Sequence, residues 1–316
     1  MTKLLIARPA PDEVRAALAD FDVTYRDIDT PMSADEMRAA LRDYDGVLPT
    51  LGDAFSAELF AQVESPRCKI LANFGVGYNH IDAAAAKANG VQVSNTPGAV
   101  TDATADIGMT LMLMTARRAG EGERLVRSGA WTGWHPSQLL GMHLTGKTVG
   151  IVGMGRIGQA VAQRSHFGFS MPVKYFSRSA KDLAYEAEHV SDLKALVAAV
   201  DVVVIAVPGG DETHHLINAD VLAAMQPHGL LINIARGNII EESALIEALQ
   251  AGAIGGAGLD VYEFEPQVPE ALRALDNVVL LPHLGTASHE VRLNMWMMAV
   301  ENLKAGVAGQ TPPNAV

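Results

Sequence analysis

The sequence predicts an α/β protein made of two parallel-sheet domains, one inserted into the other. Three observations carry that prediction. Short apolar, β-branched runs alternate with helix-like segments through the first hundred residues, a second alternating series begins at Lys147, and one more amphipathic segment closes the chain. The length of 316 residues agrees with this, since it is long for one ordinary domain and comfortable for two.

The first series reads KLLIA then PDEVRAALADF, DVTYRD then SADEMRAAL, GVLPT then SAELFAQV, CKILANF then IDAAAAKANG, and finally VQVSN. That rhythm is a repeated βα unit, hence a parallel sheet. Pro97 and Gly98 then mark the crossing into the second domain, and TDATADIGMTLMLMTARR follows as a helix. The strand candidates of the second series are KTVGIVG, VKYF, DVVVIAV, GLLINIA, GGAGLD and NVVLLPH. Six strands separated by helical segments predict a doubly wound sheet. The tail from Ser288 to Ala305 reads as a helix that packs back on the first domain. The first domain is therefore discontinuous, residues 1–99 with 287–316, around an insert of residues 100–286.

Composition excludes several function classes. With 49% hydrophobic and 19% charged residues and no low-complexity tract, the chain has to fold to hide its apolar surface. A formal net charge of -12 and the lack of any Lys/Arg cluster argue against a nucleic-acid binder. The longest aliphatic run, Val202 to Val207, is far below the ~20 residues that span a bilayer. The N-terminus MTKLLIARPAPDEV turns charged too soon for a secretory signal. Cys68 is the only cysteine, which rules out an internal disulfide and fits a cytoplasmic, reducing setting.

GIVGMGRIGQAVAQR places Gly153, Gly155 and Gly158 directly after a buried-looking strand and at the start of a helix. The first glycine permits a tight turn, the second lets a pyrophosphate approach the backbone, and the third lets helix and strand pack closely. The alternative is a glycine-rich βα turn without a ligand. Twenty residues beyond Gly158 stands Arg178, flanked by Ser177 and Ser179, where an NAD-binding protein would carry an Asp or Glu for the adenosine ribose. A carboxylate there repels a 2′-phosphate, whereas a guanidinium between two hydroxyls offers it charge and donors. NADP(H) is therefore the preferred cofactor, with NAD(H) possible. The competing reading makes Arg178 a solvated residue that stacks on adenine without discriminating.

Arg236 follows GLLINIA, Asp260 ends GGAGLD and His283 follows NVVLLP. In a parallel sheet all three emerge at the carboxyl edge, beside the glycine loop. Arg236 suits a carboxylate or carbonyl oxygen, and His283 suits the proton transfer that accompanies reduction of a carbonyl. Glu265, in YEFEP, is placed to orient the imidazole and keep it able to protonate a nascent alkoxide. Taken singly these residues have plain structural roles: a strand cap, a turn residue and an exposed loop carboxylate. Their convergence on one crevice is what favours function. No Cys/His spacing suits zinc, and His214 and His215 are an adjacent pair in a polar loop, so no metal is expected.

NFGVGYNHID (Asn73 to Asp82), NTPGAVTDATAD (Asn95 to Asp106), GKTVGIVGMGRIGQAVA, INIARGNIIEESAL, GAGLDVYEFEP and LLPHLGTAS occur in one order along nearly the whole chain. With these segments the sequence resembles the D-isomer-specific 2-hydroxyacid dehydrogenase family, especially its glyoxylate/hydroxypyruvate reductase branch. The resemblance implies a Rossmann dinucleotide-binding domain inserted into a flavodoxin-like substrate domain. It also implies a catalytic set of Arg236, Glu265 and His283, with His283 as proton donor, Glu265 as its partner and Arg236 as anchor for a small 2-oxo acid that is reduced to a D-2-hydroxy acid. Val76 and Gly77 match a loop whose backbone N–H groups hold the substrate carboxylate, which agrees with an anion nest after KILANF. Leu51 and Gly52 match a second substrate-side loop. Arg156 and Ile157 match pyrophosphate contacts. Val207, Pro208, Thr213, Ile234, Ala235, Asp260, Thr104 and Gly285 match ribose and nicotinamide contacts.

The resemblance further implies a homodimer through the dinucleotide domains. Trp131 and Trp134, in GAWTGWHP, match an arm toward the partner's site, with simple surface packing as the alternative. Two departures touch the cofactor side. PGGDETHH replaces a commoner threonine-proline loop, and FGFSMPVKYF is unusual before the second strand. Two competing functions stay open. One is a nucleotide-sensing binding protein of the same fold, against which stand the intact acid/base set and the lack of appended partner-binding tails. The other is a formate- or phosphite-type dehydrogenase; Glu265 in place of glutamine speaks against formate.

Overall fold

Leu4 and Ile6 are fully buried, and so are all four residues of Val149–Val152 and of Val202–Ile205. Burial on both faces explains why these strands read as continuous apolar runs rather than alternating ones. The computed structural model describes all 316 residues, and they form two compact units, Met1–Val100 with Ser288–Val316, and Thr101–Ala287.

The first unit contains strands β1 (Lys3–Ile6), β2 (Asp22–Tyr25), β3 (Gly46–Leu48), β4 (Ile70–Ala72) and β5 (Gln92–Ser94). All are parallel, in the order β2-β1-β3-β4-β5, which is a flavodoxin-like arrangement. Three of its helices start where the sequence offers side-chain caps. Ser33 closes a capping box with Glu36 ahead of Ala34–Asp43, Ser56 caps Ala57–Phe60, and Asp82 caps Ala83–Ala88. The tail helix His289–Val307 lies against β3 and β4. A Cβ on Gly306 would sit 2.5 Å from Ile70, so glycine is what allows that approach. Apolar clusters cover both sheet faces, one around Phe55, Phe60 and Leu71, the other around Leu18, Ile70 and Trp296. Cys68 belongs to the first of these; burial pushes its thiol up to about 12, which leaves it an inert core residue.

The second unit holds β6 (Val149–Val152), β7 (Val173–Phe176), β8 (Ala187–His189), β9 (Val202–Ile205), β10 (Leu230–Asn233), β11 (Gly256–Leu259) and β12 (Val278–Leu280). The sheet is parallel throughout, in the order β12-β11-β10-β9-β6-β7-β8. Here the six-strand expectation needs correction to seven. The strand it lacks, β8, has the sequence AEH, is half-exposed or exposed throughout and pairs with β7 along one side only. As a polar edge strand it carries no hydrophobic pattern, and ladder hydrogen bonds alone define it. Chain order reverses between β6 and β9, so the carboxyl ends of these two neighbours flank the switch point at which doubly wound sheets bind ligands. No helix of the protein is long and apolar enough to cross a membrane.

Candidate active site

The glycine loop turns at the carboxyl end of β6, and its three glycines answer three different constraints. Gly153 has φ +101, and a Cβ there would lie 2.6 Å from the backbone nitrogen of Val207. At Gly158 a Cβ would lie 2.0 Å from the Gly153 carbonyl oxygen, so the helix Arg156–Phe169 can pack this close to the strand only without one. Gly155, by contrast, faces open space, and it caps that helix without any side-chain hydrogen bond. A helix N-terminus with free N–H groups, approached past a bare Cα, fits the pyrophosphate of a dinucleotide. The side chains of Arg156 and Arg178 are exposed and form no ion pair or hydrogen bond within the chain, whereas Arg164, on the helix of Arg156, is held by Asp102 and Asp106.

At the end of β7 the Ser177 hydroxyl donates to the Ser179 carbonyl at 2.6 Å, and the Ser177 carbonyl accepts from the His189 ring at 2.9 Å. Lys181 donates to the Ser179 hydroxyl at 3.2 Å. Arg178 thus projects from a braced turn with its guanidinium uncommitted, an arrangement suited to a phosphate monoester. Beyond β9, Thr213 donates to the carbonyls of Pro208 and Gly210 at 2.8 and 3.1 Å, closing the loop that starts at Val207. After β10, the Asn233 side chain receives the Ala235 N–H at 3.0 Å and donates to the Arg236 carbonyl at 2.9 Å, which fixes the turn through Ile234, Ala235 and Arg236.

Arg236, Glu265 and His283 come together. His283 Nδ1 lies 2.9 Å from Glu265 Oε2, while Glu265 Oε1 accepts the Tyr262 N–H at 3.0 Å. Burial alone would raise the Glu265 pKa, but the hydrogen bond from His283, the Tyr262 N–H and the nearby Arg236 guanidinium outweigh it and hold the carboxyl below its usual range. Arg236 is half-buried, and desolvation lowers its pKa against the opposing pull of Glu265. It remains a cation, since a guanidinium keeps its proton across the ordinary pH range. Its Nη1 donates to the Ala235 carbonyl at 2.7 Å.

His283 itself sits at φ +54, a left-handed conformation that histidine tolerates better than most residues but that costs about 1–3 kcal/mol. Asp260 is what holds it there. The Asp260 carbonyl accepts the His283 N–H at 3.0 Å, and its carboxylate accepts those of Leu284 at 2.6 Å and Gly285 at 2.8 Å. Asp260 is 1% exposed, and burial raises its pKa despite those two donors. Thr104 adds a further tie, donating to the Gly285 carbonyl at 3.2 Å. Sequence reasoning marked Asp260, Thr104 and Gly285 as cofactor neighbours; the structure shows in addition that they build the backbone under His283.

In the first unit, β3 leads into Leu51 and Gly52, and β4 into Val76 and Gly77. Gly52 has φ +96, and Asp53 pins its loop by accepting the Thr50 N–H at 2.8 Å and the buried Arg8 guanidinium at 3.0 Å. In the second loop the carbonyls of Gly75 and Gly77 accept from the Asn73 amide at 3.1 and 3.0 Å, and that of Val76 from Asn95 at 2.9 Å. With its carbonyls turned inward, the loop leaves the Val76 and Gly77 N–H groups without an acceptor in the chain, as an anion nest requires.

Two features escaped the sequence. Tyr262 supplies an N–H to Glu265, and its buried hydroxyl donates to the Leu281 carbonyl at 2.9 Å, bracing the segment that leads into His283. A tyrosine in VYEFEP carries no sign of a backbone role. Glu263 joins the His214–His215 pair: one ligand atom from each lies within 4.8 Å of the others. His215 Nε2 is already engaged by Glu263 at 2.6 Å, and the two imidazoles stack 4.0 Å apart.

Several known proteins are similar to this chain. The family model of the D-isomer specific 2-hydroxyacid dehydrogenase NAD binding domain matches residues 109–285. The chain is 42% identical to a glyoxylate reductase of Thermococcus onnurineus over 322 aligned positions, covering 99% of this chain and 95% of the relative. It is 44% identical to glyoxylate/hydroxypyruvate reductase B of Serratia proteamaculans over 262, covering 82% and 80%. Among solved structures, the NADPH-dependent glyoxylate/hydroxypyruvate reductase of Sinorhizobium meliloti, in complex with NADP and malonate, is similar at TM-score 0.88. The two are 36% identical, over 100% of this chain and 96% of that one.

Proposed function

The chain belongs to the D-isomer-specific 2-hydroxyacid dehydrogenase family, in its glyoxylate reductase branch, and from that premise we propose an NADPH-preferring reductase of small 2-oxo acids that yields D-2-hydroxy acids. Glyoxylate and hydroxypyruvate are the proposed substrates, by analogy with what the similar enzymes are named for. The observation that carries the reading is the 2.9 Å pairing of His283 with Glu265 beside Arg236, on the sheet edge that also bears the glycine loop.

A bound nicotinamide dinucleotide supplies the hydride. The chain's own residues do the rest. Ionised Glu265 can only accept, so His283 Nδ1 is the donor and Nε2 is left for the substrate oxygen. A protonated His283 then delivers its Nε2 proton to the developing alkoxide, and Glu265 stabilises the imidazolium while it exists. Arg236, positive and half-buried, attracts the substrate carboxylate and polarises its carbonyl. Val76 and Gly77, through their N–H groups, and Leu51 and Gly52 are the proposed substrate-binding residues of the first unit. Gly153, Gly155, Arg156, Ile157 and Gly158 hold the pyrophosphate. Val207, Pro208, Thr213, Ile234, Ala235, Asp260, Thr104 and Gly285 line the ribose and nicotinamide.

The preference for NADPH rests on Ser177, Arg178 and Ser179, an uncommitted cation in a braced turn with no carboxylate beside it. A homodimer through the dinucleotide-binding units is part of the proposal. It is supported by exposed apolar side chains in one stretch, Val126, Trp131, Trp134 (79% exposed) and Leu140. A cytoplasmic setting is supported by the single buried cysteine. Steady-state kinetics on a panel of 2-oxo acids, each with NADPH and NADH, test the whole reading. Turnover of glyoxylate or hydroxypyruvate with the lower Michaelis constant for NADPH is expected. Equal or better use of NADH would overturn the cofactor assignment, and absence of turnover the activity.

A further inference from the structure

Glu263 lies two residues before Glu265, with its side chain 11% exposed and both carboxylate oxygens engaged. Oε1 pairs with His215 Nε2 at 2.6 Å, and Oε2 accepts the Glu242 N–H at 3.2 Å. The exchange is reciprocal, because the Glu263 N–H donates to the Glu242 carboxylate at 3.3 Å. His215 ends the loop that leaves β9 through Val207, Pro208 and Thr213, and its own N–H donates to the Asn238 carbonyl at 2.9 Å. The turn at Arg236 and Gly237 presses on the same place: a Cβ on Gly237 would lie 1.8 Å from the Tyr262 carbonyl carbon.

Three segments that carry candidate site residues therefore meet around Glu263, one at its carboxylate and one against its backbone. They are the cofactor-side loop after β9, the Arg236 turn after β10 and the Glu265 segment after β11. The loop after β9 is half-exposed or exposed from Val207 to Thr213, and two Thr213 hydroxyl bonds and one short 3-10 turn help to close it. His215 also sits at φ +48, a conformation retained only where surrounding contacts over-determine it.

We infer that Glu263 is a positioning residue: by gripping His215 it holds the loop Val207–Thr213 in register with Arg236 and Glu265 and so sets the affinity for the dinucleotide. The inference rests on the reading that this loop contacts the cofactor. Glu263 touches no reacting atom and acts through His215.

A double-mutant cycle on dinucleotide affinity tests it. NADPH dissociation constants are measured by fluorescence for wild type, His215→Ala, Glu263→Ala and the double variant, with thermal unfolding of each ligand-free protein alongside. Each single change should weaken NADPH binding about fivefold, and the double variant should be no weaker than the worse single one, since both break one connection. At saturating NADPH, kcat with glyoxylate should stay within about twofold of wild type, a split that general loss of structure would not give. His215→Gln, whose amide can still donate to Glu263, should recover most of the affinity, and it keeps the test open if His215→Ala unfolds. Single variants that bind NADPH as wild type does, or effects that multiply in the double variant, would overturn the inference alone. Failure of wild type to bind either NADPH or NADH would overturn the cofactor reading and the inference with it.

Discussion

His283 Nδ1 meets Glu265 Oε2 at 2.9 Å, and the other oxygen of the same carboxylate takes the Tyr262 N–H at 3.0 Å. Glu265 is therefore an acceptor on both sides, and an amide cannot replace it without turning a donor toward one of the two. Glu265→Gln should lower kcat with glyoxylate by about a hundredfold at neutral pH and leave NADPH affinity nearly unchanged.

The same residue gives a signed pH effect. The Glu265 pKa is held below its unfolded value, so its contribution to stability is present above the ordinary Glu value of about 4.3 and is lost as pH falls through the lower folded value. Urea midpoints measured at descending pH should fall more steeply for wild type than for Glu265→Gln, and parallel curves would count against the depressed pKa.

Glu242 has the opposite sign. It is 6% exposed, and burial, aided by the Glu263 charge, raises its pKa against the pull of the Glu263 N–H. A carboxyl raised in the folded state favours folding below its unfolded pKa, and that advantage is lost as pH rises through the folded value. Glu242→Gln keeps an acceptor for the Glu263 N–H and removes the charge. Its thermal midpoint should rise by roughly 2 °C relative to wild type at neutral pH, an effect of about 1 kcal/mol, with the gap closing toward pH 4.

The glycine loop separates packing from ligand contact. Gly158→Ala puts a methyl group 2.0 Å from a carbonyl oxygen and should cost about 3 kcal/mol of stability. Gly155→Ala meets open space at φ -79 and should leave the thermal midpoint within a degree or so while weakening NADPH binding about tenfold or more. Calorimetry and fluorescence titration of the two variants distinguish these outcomes; a Gly155→Ala protein with wild-type affinity would remove the pyrophosphate from this loop.

Arg178→Ala should raise the NADPH Michaelis constant about tenfold or more and the NADH constant far less, because only NADPH brings the 2′-phosphate that an unpaired guanidinium would meet. Equal effects on both cofactors would reduce Arg178 to an adenine-stacking residue.

How much was legible in the sequence follows from how each feature is encoded. The buried strands show as apolar runs because both faces are covered, and parallel pairing then carries Arg236, Asp260 and His283 to one edge whatever their separation in the chain. β8 was missed because an exposed AEH edge strand has no pattern to read. The Tyr262 N–H, the grip of Asp260 on Leu284 and Gly285, and the His215–Glu263 contact were equally invisible. Each depends on backbone placement or on side chains brought together across the fold, and the residue type alone does not betray it.

NADPH oxidation with glyoxylate, run side by side on wild type and His283→Ala, tests the proton donor most directly. Wild type should turn over, and the variant should fall by about 10³-fold while its NADPH dissociation constant stays within about twofold. Unchanged turnover in His283→Ala would contradict the mechanism.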